Sequence, residues 1–492
     1  MKGVNIMSNF IVQFPLRTEK YQEDILEKRF KITKYIYNSL VTITQSRYKE
    51  MSKTKRYRNL LNQLTGDKEE DKPIWKEIEF MRKEYNLTEY SFHKDVKPLQ
   101  KHFSKNIDAF TAQKIATALW KAYDKLFYDN GEVVHYKRYD GITSLEGKSN
   151  NTGIHFKNDT LIWNKLSIPV DINYNNPYEY QAMQSEIAYC RIVRKYIKNK
   201  YKYYLQIIFK GIPPKKIDKT TGEIKHSISK GDVGIDIGTS TIAYSSSNEV
   251  KILELADKVQ NIENQKRVLL RKLDRSRRSM NPDNFNEDGT VKKQGSKKVK
   301  WKYSNNYKKT REQLKELYRK QADIRKYQHE CLANHIVSLG DTIYVEKMNF
   351  SGLAKKAKKT EVNDKGKNKR KKRFGKTIAN RAPAMLLGII NRKLSYEGKI
   401  LIEIDTWAAK ASQFNHVDET YTKKKLSQRW NYINENKIQR DMYSAFLIMN
   451  INDDLQSFNI EKCNNRFENF LELHNKEVQR LSKCKNLKSI GI

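Results

Sequence analysis

The period of the apolar positions changes several times along the chain, and each change marks a part. Residues 9 to 16 read as an opening strand, and residues 22 to 51 then carry Leu26, Phe30, Tyr37 and Val41 at helical spacing, which predicts one long helix. Thr65-Gly66-Asp67 predicts a turn between helices, and Ile115, Leu119, Tyr123 and Leu126 predict another helix over residues 107 to 128. Residues 21–130 are therefore expected to form a helical bundle. From Gly131 the pattern shifts to short runs rich in Tyr, Ile and Val, at 155–156, 160–163, 187–196 and 202–209, which predict a small antiparallel β-barrel. The bundle is expected to be inserted after the first strand of that barrel. Residues 215–230 are polar and predict a linker.

A three-stranded meander comes next. The runs 233–237, 241–245 and 250–253 are separated by Gly238-Thr239-Ser240 and Ser247-Asn248-Glu249, as in two consecutive hairpins. Strand side chains alternate, so Asp236 is expected on the face opposite Ile235 and Ile237. Leu255, Val259, Ile262, Leu269 and Leu273 then mark a helix whose apolar stripe skips Lys266, and Leu314, Tyr318, Ile324, Leu332 and Ile336 mark a second over 306–337. A strand over 341–349 contains Glu346, a helix spans 382–396, a strand 399–404, and a helix starts at Asp441. Residues 351–380 are basic and almost free of apolar side chains, which predicts a loop that orders on nucleic acid. The stretch 456–492 has a mixed pattern and reads as a tail.

Charge narrows the partners. Lys and Arg number 96 against 57 Asp and Glu, a net +39 that calls for a polyanion, and 29 Tyr with 18 Phe supply stacking surfaces. Nucleic acid is the expected partner. Arg267, Arg271, Lys272, Arg275, Arg277 and Arg278 crowd the polar faces of the helix after the meander and predict a phosphate track. Arg429 and Trp430 are further candidates, by phosphate pairing and stacking. No apolar run has the length of a membrane span and no secretory signal is legible, so a cytoplasmic protein without a membrane partner is expected. The four cysteines, Cys190, Cys331, Cys463 and Cys484, include no Cys-x-x-Cys pair, so neither zinc nor a disulfide framework is expected.

Asp236-Ile237-Gly238-Thr239 on a first hairpin fits three things: the phosphate of an actin-like ATPase, the metal of an RNase H-like nuclease, or an aspartate satisfied by its own turn. The ATPase reading needs a Gly-Gly adenosine loop, and the chain has no Gly-Gly pair. Asp236, Glu346 and Asp441, carried in order by strand, strand and helix, fit an RNase H-like site in which distant acids converge at one sheet edge. Hard Mg²⁺ takes carboxylates and water, so phosphodiester hydrolysis there needs no His or Cys. Glu403 and Asp405 are spare acids near that edge, with Asp405 expected to cap a loop. His416, beside Phe414, reads as a structural hydrogen-bonder.

The three acids lie in Gly234-Ile235-Asp236-Ile237-Gly238, Val345-Glu346-Lys347-Met348-Asn349 and Gln439-Arg440-Asp441-Met442-Tyr443-Ser444-Ala445. These resemble the three RuvC motifs of the TnpB-like transposon-encoded nucleases and the miniature type V CRISPR effectors. Tyr37-Asn38, Tyr136-Lys137-Arg138-Tyr139-Asp140 and the two basic helices also fall where that family has them, so the resemblance runs from residue 9 to about residue 450.

It implies a multi-domain α+β and α/β chain. A wedge-like barrel would comprise 1–20 and 131–214, with a recognition bundle at 21–130 and a linker at 215–230. A RuvC nuclease domain would comprise 231–405 and 441–455, with long basic helices at 255–337, an insertion at 406–440 and a tail at 456–492. It further implies a guide RNA, a matched double-stranded DNA target, one copy or a homodimer per guide, and two Mg²⁺ ions held by Asp236, Glu346 and Asp441 as catalytic ligands. Two positions depart from the family. The segment after Ala411-Ser412-Gln413 lacks the usual two Cys-x-x-Cys pairs, and Tyr443 stands where Asn is common. A nuclease-silent guided repressor and an unguided RNase H-like transposase or resolvase are the alternatives.

Overall fold

Residues 9 to 15 alternate in burial as a strand should, and β1 (Asn9–Pro15) pairs antiparallel with a strand almost two hundred residues later. The computed structural model describes residues 9–67, 69–128, 131, 133–292, 299–355, 374–425 and 428–483. The chain divides into two units, Met1–Ile217 and Asp218–Ile492, with the boundary inside the polar stretch 215–230.

In the first unit β1 leads into α1 (Lys20–Lys53), α2 (Lys55–Gln63), α3 (Lys72–Glu84), α4 (Glu89–His102) and α5 (Ala109–Tyr128). The strands β2 (Ser144–Glu146), β3 (His155–Lys157), β4 (Thr160–Trp163) and β5 (Leu166–Pro169) come after them, then α6 (Pro177–Met183), β6 (Ile187–Ile197) and β7 (Lys200–Lys210). Glu19 and Gln22 close a reciprocal capping box at the start of α1, and Thr88 and Ser91 do the same for α4.

The expected barrel does not form. Among the described residues the strands make one sheet in the order β1-β7-β6-β2 and a second, β3-β4-β5, joined by a single bridge between Leu16 and Val170. The physical reason lies in what covers the apolar faces. Phe10, Phe14, Ile192, Leu205 and Ile207 belong to the same buried cluster as Phe30, Ile36, Leu40, Ile115 and Leu119 of the helices, so helices fill the volume that a closed barrel would enclose. Buried Arg29 fixes this packing, with its guanidinium 4.3 Å from the Trp163 ring and donating to the Trp163 carbonyl at 2.9 Å.

The second unit is built on β8 (Asp232–Ile237), β9 (Thr241–Ser246), β10 (Val250–Glu254), β11 (Thr342–Glu346) and β12 (Ile402–Ile404), in the order β10-β9-β8-β11-β12. The first three strands are the meander, and β11 and β12 run parallel to β8. Between β10 and β11 lie α7 (Val259–Met280) and α8 (Asn305–Leu339). Between β11 and β12 lie α9 (Phe350–Ala354), α10 (Gly375–Arg381) and α11 (Pro383–Ser395). After β12 come α12 (Thr406–Ala409) and the hairpins β13 (Phe414–Asn415) with β14 (Thr420–Tyr421), and β15 (Trp430–Ile433) with β16 (Asn436–Gln439). The chain then runs through α13 (Arg440–Met449) and α14 (Ile460–Ser482). No helix among the described residues is long and apolar enough to cross a membrane.

Three local expectations change. Residues 356–373 of the basic loop lie outside the described residues, its start belongs to α9 and its end to α10, which is pinned where buried Arg381 donates to the carbonyls of Leu255 and Ala256 at 2.7 and 2.8 Å. Lys266, the gap in the first stripe, is itself buried on it. Its ammonium donates to Glu263 at 3.0 Å and Gln321 at 2.7 Å, which is how a lysine can occupy a core position. The tail contains helix α14, whose Cys463, Phe467, Phe470 and Leu481 are buried in the core that also holds α13. Its apolar pattern is obscured by polar residues that are buried with it, His474 and Glu477.

The two faces of the central sheet have separate cores. Val233, Ile235, Ile237, Ile343 and Val345 bury against α8 and α11, while α13 lies over β8 and β9 on the other side. Gly234 is where α13 comes closest. A Cβ there would fall on the Ala445 carbonyl oxygen and the Met449 backbone nitrogen, well inside van der Waals contact. Gly234→Ala must push the helix off the sheet, and a loss of about 3 kcal/mol or more is expected. Thermal and denaturant melts of the two proteins measure it, and an unchanged midpoint would contradict this packing.

Candidate active site

Alternation puts Asp236 on the α13 face of β8, opposite the buried Ile235 and Ile237. In the parallel register Val345 pairs with Ile235, so Glu346 sits beside Asp236 on the neighbouring strand and the same face. Asp441 comes from the first turn of α13, one turn before the residue that lies on Gly234. The three sequence-expected acids thus come to one edge. Each is half-buried.

Their electrostatics are unequal. Burial first, then the Asp441 and Glu346 charges, hold the Asp236 carboxyl well above the usual carboxylate range, against the weaker pull of Arg440 and Arg429. Burial pushes Glu346 up to about 7. Asp441 is the one engaged by cations. Arg429 Nη1 donates to its Oδ2 at 3.2 Å, and Arg440 Nε and Nη2 donate to its Oδ1 at 2.9 and 2.8 Å. Among the described residues no three Asp, Glu, His or Cys side chains converge closely enough to hold a metal ion as they stand. The donor set, three hard carboxylates with two of them lacking a cation in contact among the described residues, nevertheless suits a hard divalent ion.

No family model matches the chain, and no curated protein does. Among solved structures, a Cas12f1-sgRNA-target DNA complex matches at 10% identity and a TM-score of 0.44, over 90% of this chain and 99% of that one. A CRISPR-Cas12f ternary complex matches at 14% identity and 0.27, over 88% and 82%. The mini-RNA-guided endonuclease CRISPR-Cas_phi3 matches at 10% identity and 0.28, over 94% and 92%. The chain is similar to miniature type V CRISPR effectors. With TM-scores below 0.5, what it does has to be read from its own residues.

The spare acids separate cleanly. Glu403 pairs with Val345, so it points to the opposite face from Glu346, while Asp405 caps α12, accepting from the amides of Trp407 and Ala408 at 2.9 and 3.2 Å. On α7, Arg267, Arg271, Lys272 and Arg275 are exposed, whereas Arg277 and Arg278 both pair with Asp274 at 2.8 Å and stack near Trp301 and Phe285. Trp430 begins β15 half-buried, with the Lys437 ammonium 4.7 Å from its ring.

His416, expected to be a structural hydrogen-bonder, meets Tyr443. The Tyr443 hydroxyl accepts from the His416 amide at 3.1 Å and lies 2.6 Å from its Nδ1. Phe446, Phe467 and Phe470 close a ring cluster around the pair. At the same, N-terminal end of α13, Gln439 caps the helix through Met442, and its backbone amide donates to His474 Nε2 of α14 at 3.0 Å. No local pattern of α13 names these partners, because they lie up to 35 residues away in the chain.

Burial depresses the His416 imidazole to about 4. A histidine whose folded value lies below its unfolded value of about 6.5 takes up protons preferentially when unfolded, so its contribution is intact above that value and lost as pH falls toward 4. His416→Phe should therefore flatten the loss of thermal stability between about pH 6.5 and 4. Glu346 works the other way. Its raised value means that the metal-free fold loses stability as pH rises from about 4.5 through 7, so Glu346→Gln should stabilise the protein by about 2 kcal/mol at pH 8 in chelator. Melts across pH test both, and a destabilised Glu346→Gln would remove the strain assigned to the acid edge.

Proposed function

We propose that this chain is an RNA-guided DNA endonuclease whose catalytic acids are Asp236, Glu346 and Asp441. The observation that carries the reading is the edge itself. Two carboxylates sit side by side on neighbouring strands, half-buried and raised, and a third is delivered to them by a helix packed unusually close. Structural acids in such a setting are paired with cations, and leaving like charges together costs stability that a bound cation would restore.

Mg²⁺ fits this donor set, and when bound it would supply Lewis-acid polarisation of the phosphate and a nucleophilic water. Asp236 and Glu346 would hold it from the sheet and Asp441 from the helix. Arg440, the more buried of the two arginines, keeps the Asp441 carboxylate at the edge. Arg429, more open to solvent, is placed to leave Asp441 and pair a phosphate of the bound strand. The +39 charge and the exposed cations of α7 support an extended polyanion, which on the sequence resemblance is the guide RNA with its paired DNA target.

One observation favours a second reading, a guided protein that binds without cutting. Asp441 is held by two guanidinium groups, and an arginine pair that never lets go would silence the edge. Purified protein is therefore expected to carry a discrete RNA and to cut DNA matched to it in Mg²⁺. Asp236→Ala should lower cutting by about a thousandfold or more while leaving RNA and target binding within about twofold. Full cleavage by that variant would remove the site assignment. A wild-type protein that binds the matched target and leaves it whole would favour the silent form, and the absence of any discrete RNA would favour an unguided nuclease.

A further inference from the structure

Trp407 has 88% of its surface exposed, more than any other large apolar side chain among the described residues. Tryptophan is normally well buried, because its indole carries one of the largest apolar surfaces of any side chain. This one is not left out by disorder. Asp405 anchors the turn that presents it, and the Thr406 hydroxyl donates at 3.2 Å to the carbonyl of Lys347, the residue after Glu346. Ile404 is paired with Glu346 across the β11–β12 ladder, so the indole stands three residues beyond the strand partner of a catalytic acid. Ala409 and Ala411, fully buried, are the side chains that seat this segment in the core. The indole is spare for something else.

Its surroundings say what. Lys410, three residues further along the chain, and Lys347, whose carbonyl takes the Thr406 tether, are both exposed, while the carboxylate of Asp405 is turned onto backbone amides. A flat apolar surface beside cations, fixed next to acids that would act on a phosphodiester, suits a base of a single strand whose backbone runs toward those acids. We propose that Trp407 is the stacking platform for a base of the DNA strand being cut, adjacent to the scissile phosphate. It rests on the nuclease reading above and adds a substrate-positioning residue to it.

The test uses RNA-loaded protein carrying Asp236→Ala, kept in chelator so that DNA stays whole. Short single-stranded DNA containing 5-iodouracil is bound and irradiated, and the cross-linked peptide is sequenced. The cross-link is expected at Trp407. In the same background Trp407→Ala should weaken single-strand binding about five- to a hundredfold, with Trp407→Tyr keeping most of the affinity. In the active protein Trp407→Ala should raise KM for a single-stranded substrate with kcat little changed. Unchanged affinity in Trp407→Ala, with cross-links elsewhere and cleavage intact, would overturn the platform and leave the nuclease reading standing. A parent protein that neither binds nor cuts DNA would overturn both.

Discussion

Helix α13 can lie on strand β8 because residue 234 has no side chain. That contact sets the depth at which Asp441 enters the edge, since the helix start is one turn from the point of closest approach. Strand alternation sets where Asp236 faces, and the parallel register of β11 places Glu346 next to it. Three acids from distant parts of the chain therefore share an edge through one steric allowance and two periodicities. A larger residue at 234 would separate the helix-borne acid from the strand-borne pair without touching any carboxylate.

The edge is held under electrostatic tension that the remainder of the unit must absorb. Asp236 and Glu346 are raised by burial and, for Asp236, by neighbouring charge, whereas Asp441 is neutralised by Arg429 and Arg440. Sites arranged for chemistry commonly carry such a cost in stability. Here the surrounding packing is extensive. All residues of α13 from Met442 to Met449 are buried, Gln439 caps its start, and α14 closes over it with three aromatic or histidine side chains.

The same packing explains how the segment after Ala411-Ser412-Gln413 keeps its shape without cysteine ligands. A zinc site would tie that segment together by metal bonds. In this chain the tie is a buried hydrogen bond between His416 and Tyr443, enclosed by Phe446, Phe467 and Phe470. His416 of the cysteine-free segment and Tyr443 of α13 are thus parts of one arrangement.

The sequence by itself determined what depends on short-range periodicity. The meander, the long helices, the face of Asp236 and the capping role of Asp405 are all local, so they were legible without a fold. The tertiary structure decided what depends on contacts between distant segments. Whether the strands before residue 217 would close into a barrel turned on helices competing for the same apolar faces. The burial of Lys266, the identity of α14 as part of the core, and the pairing of Arg429 with Asp441 rather than with solvent each needed a partner that no local pattern announces. The exposure of Trp407 belongs to the same group. The large apolar surface of a tryptophan favours burial, and only the fold, by seating Ala409 and Ala411 instead, left this indole outside.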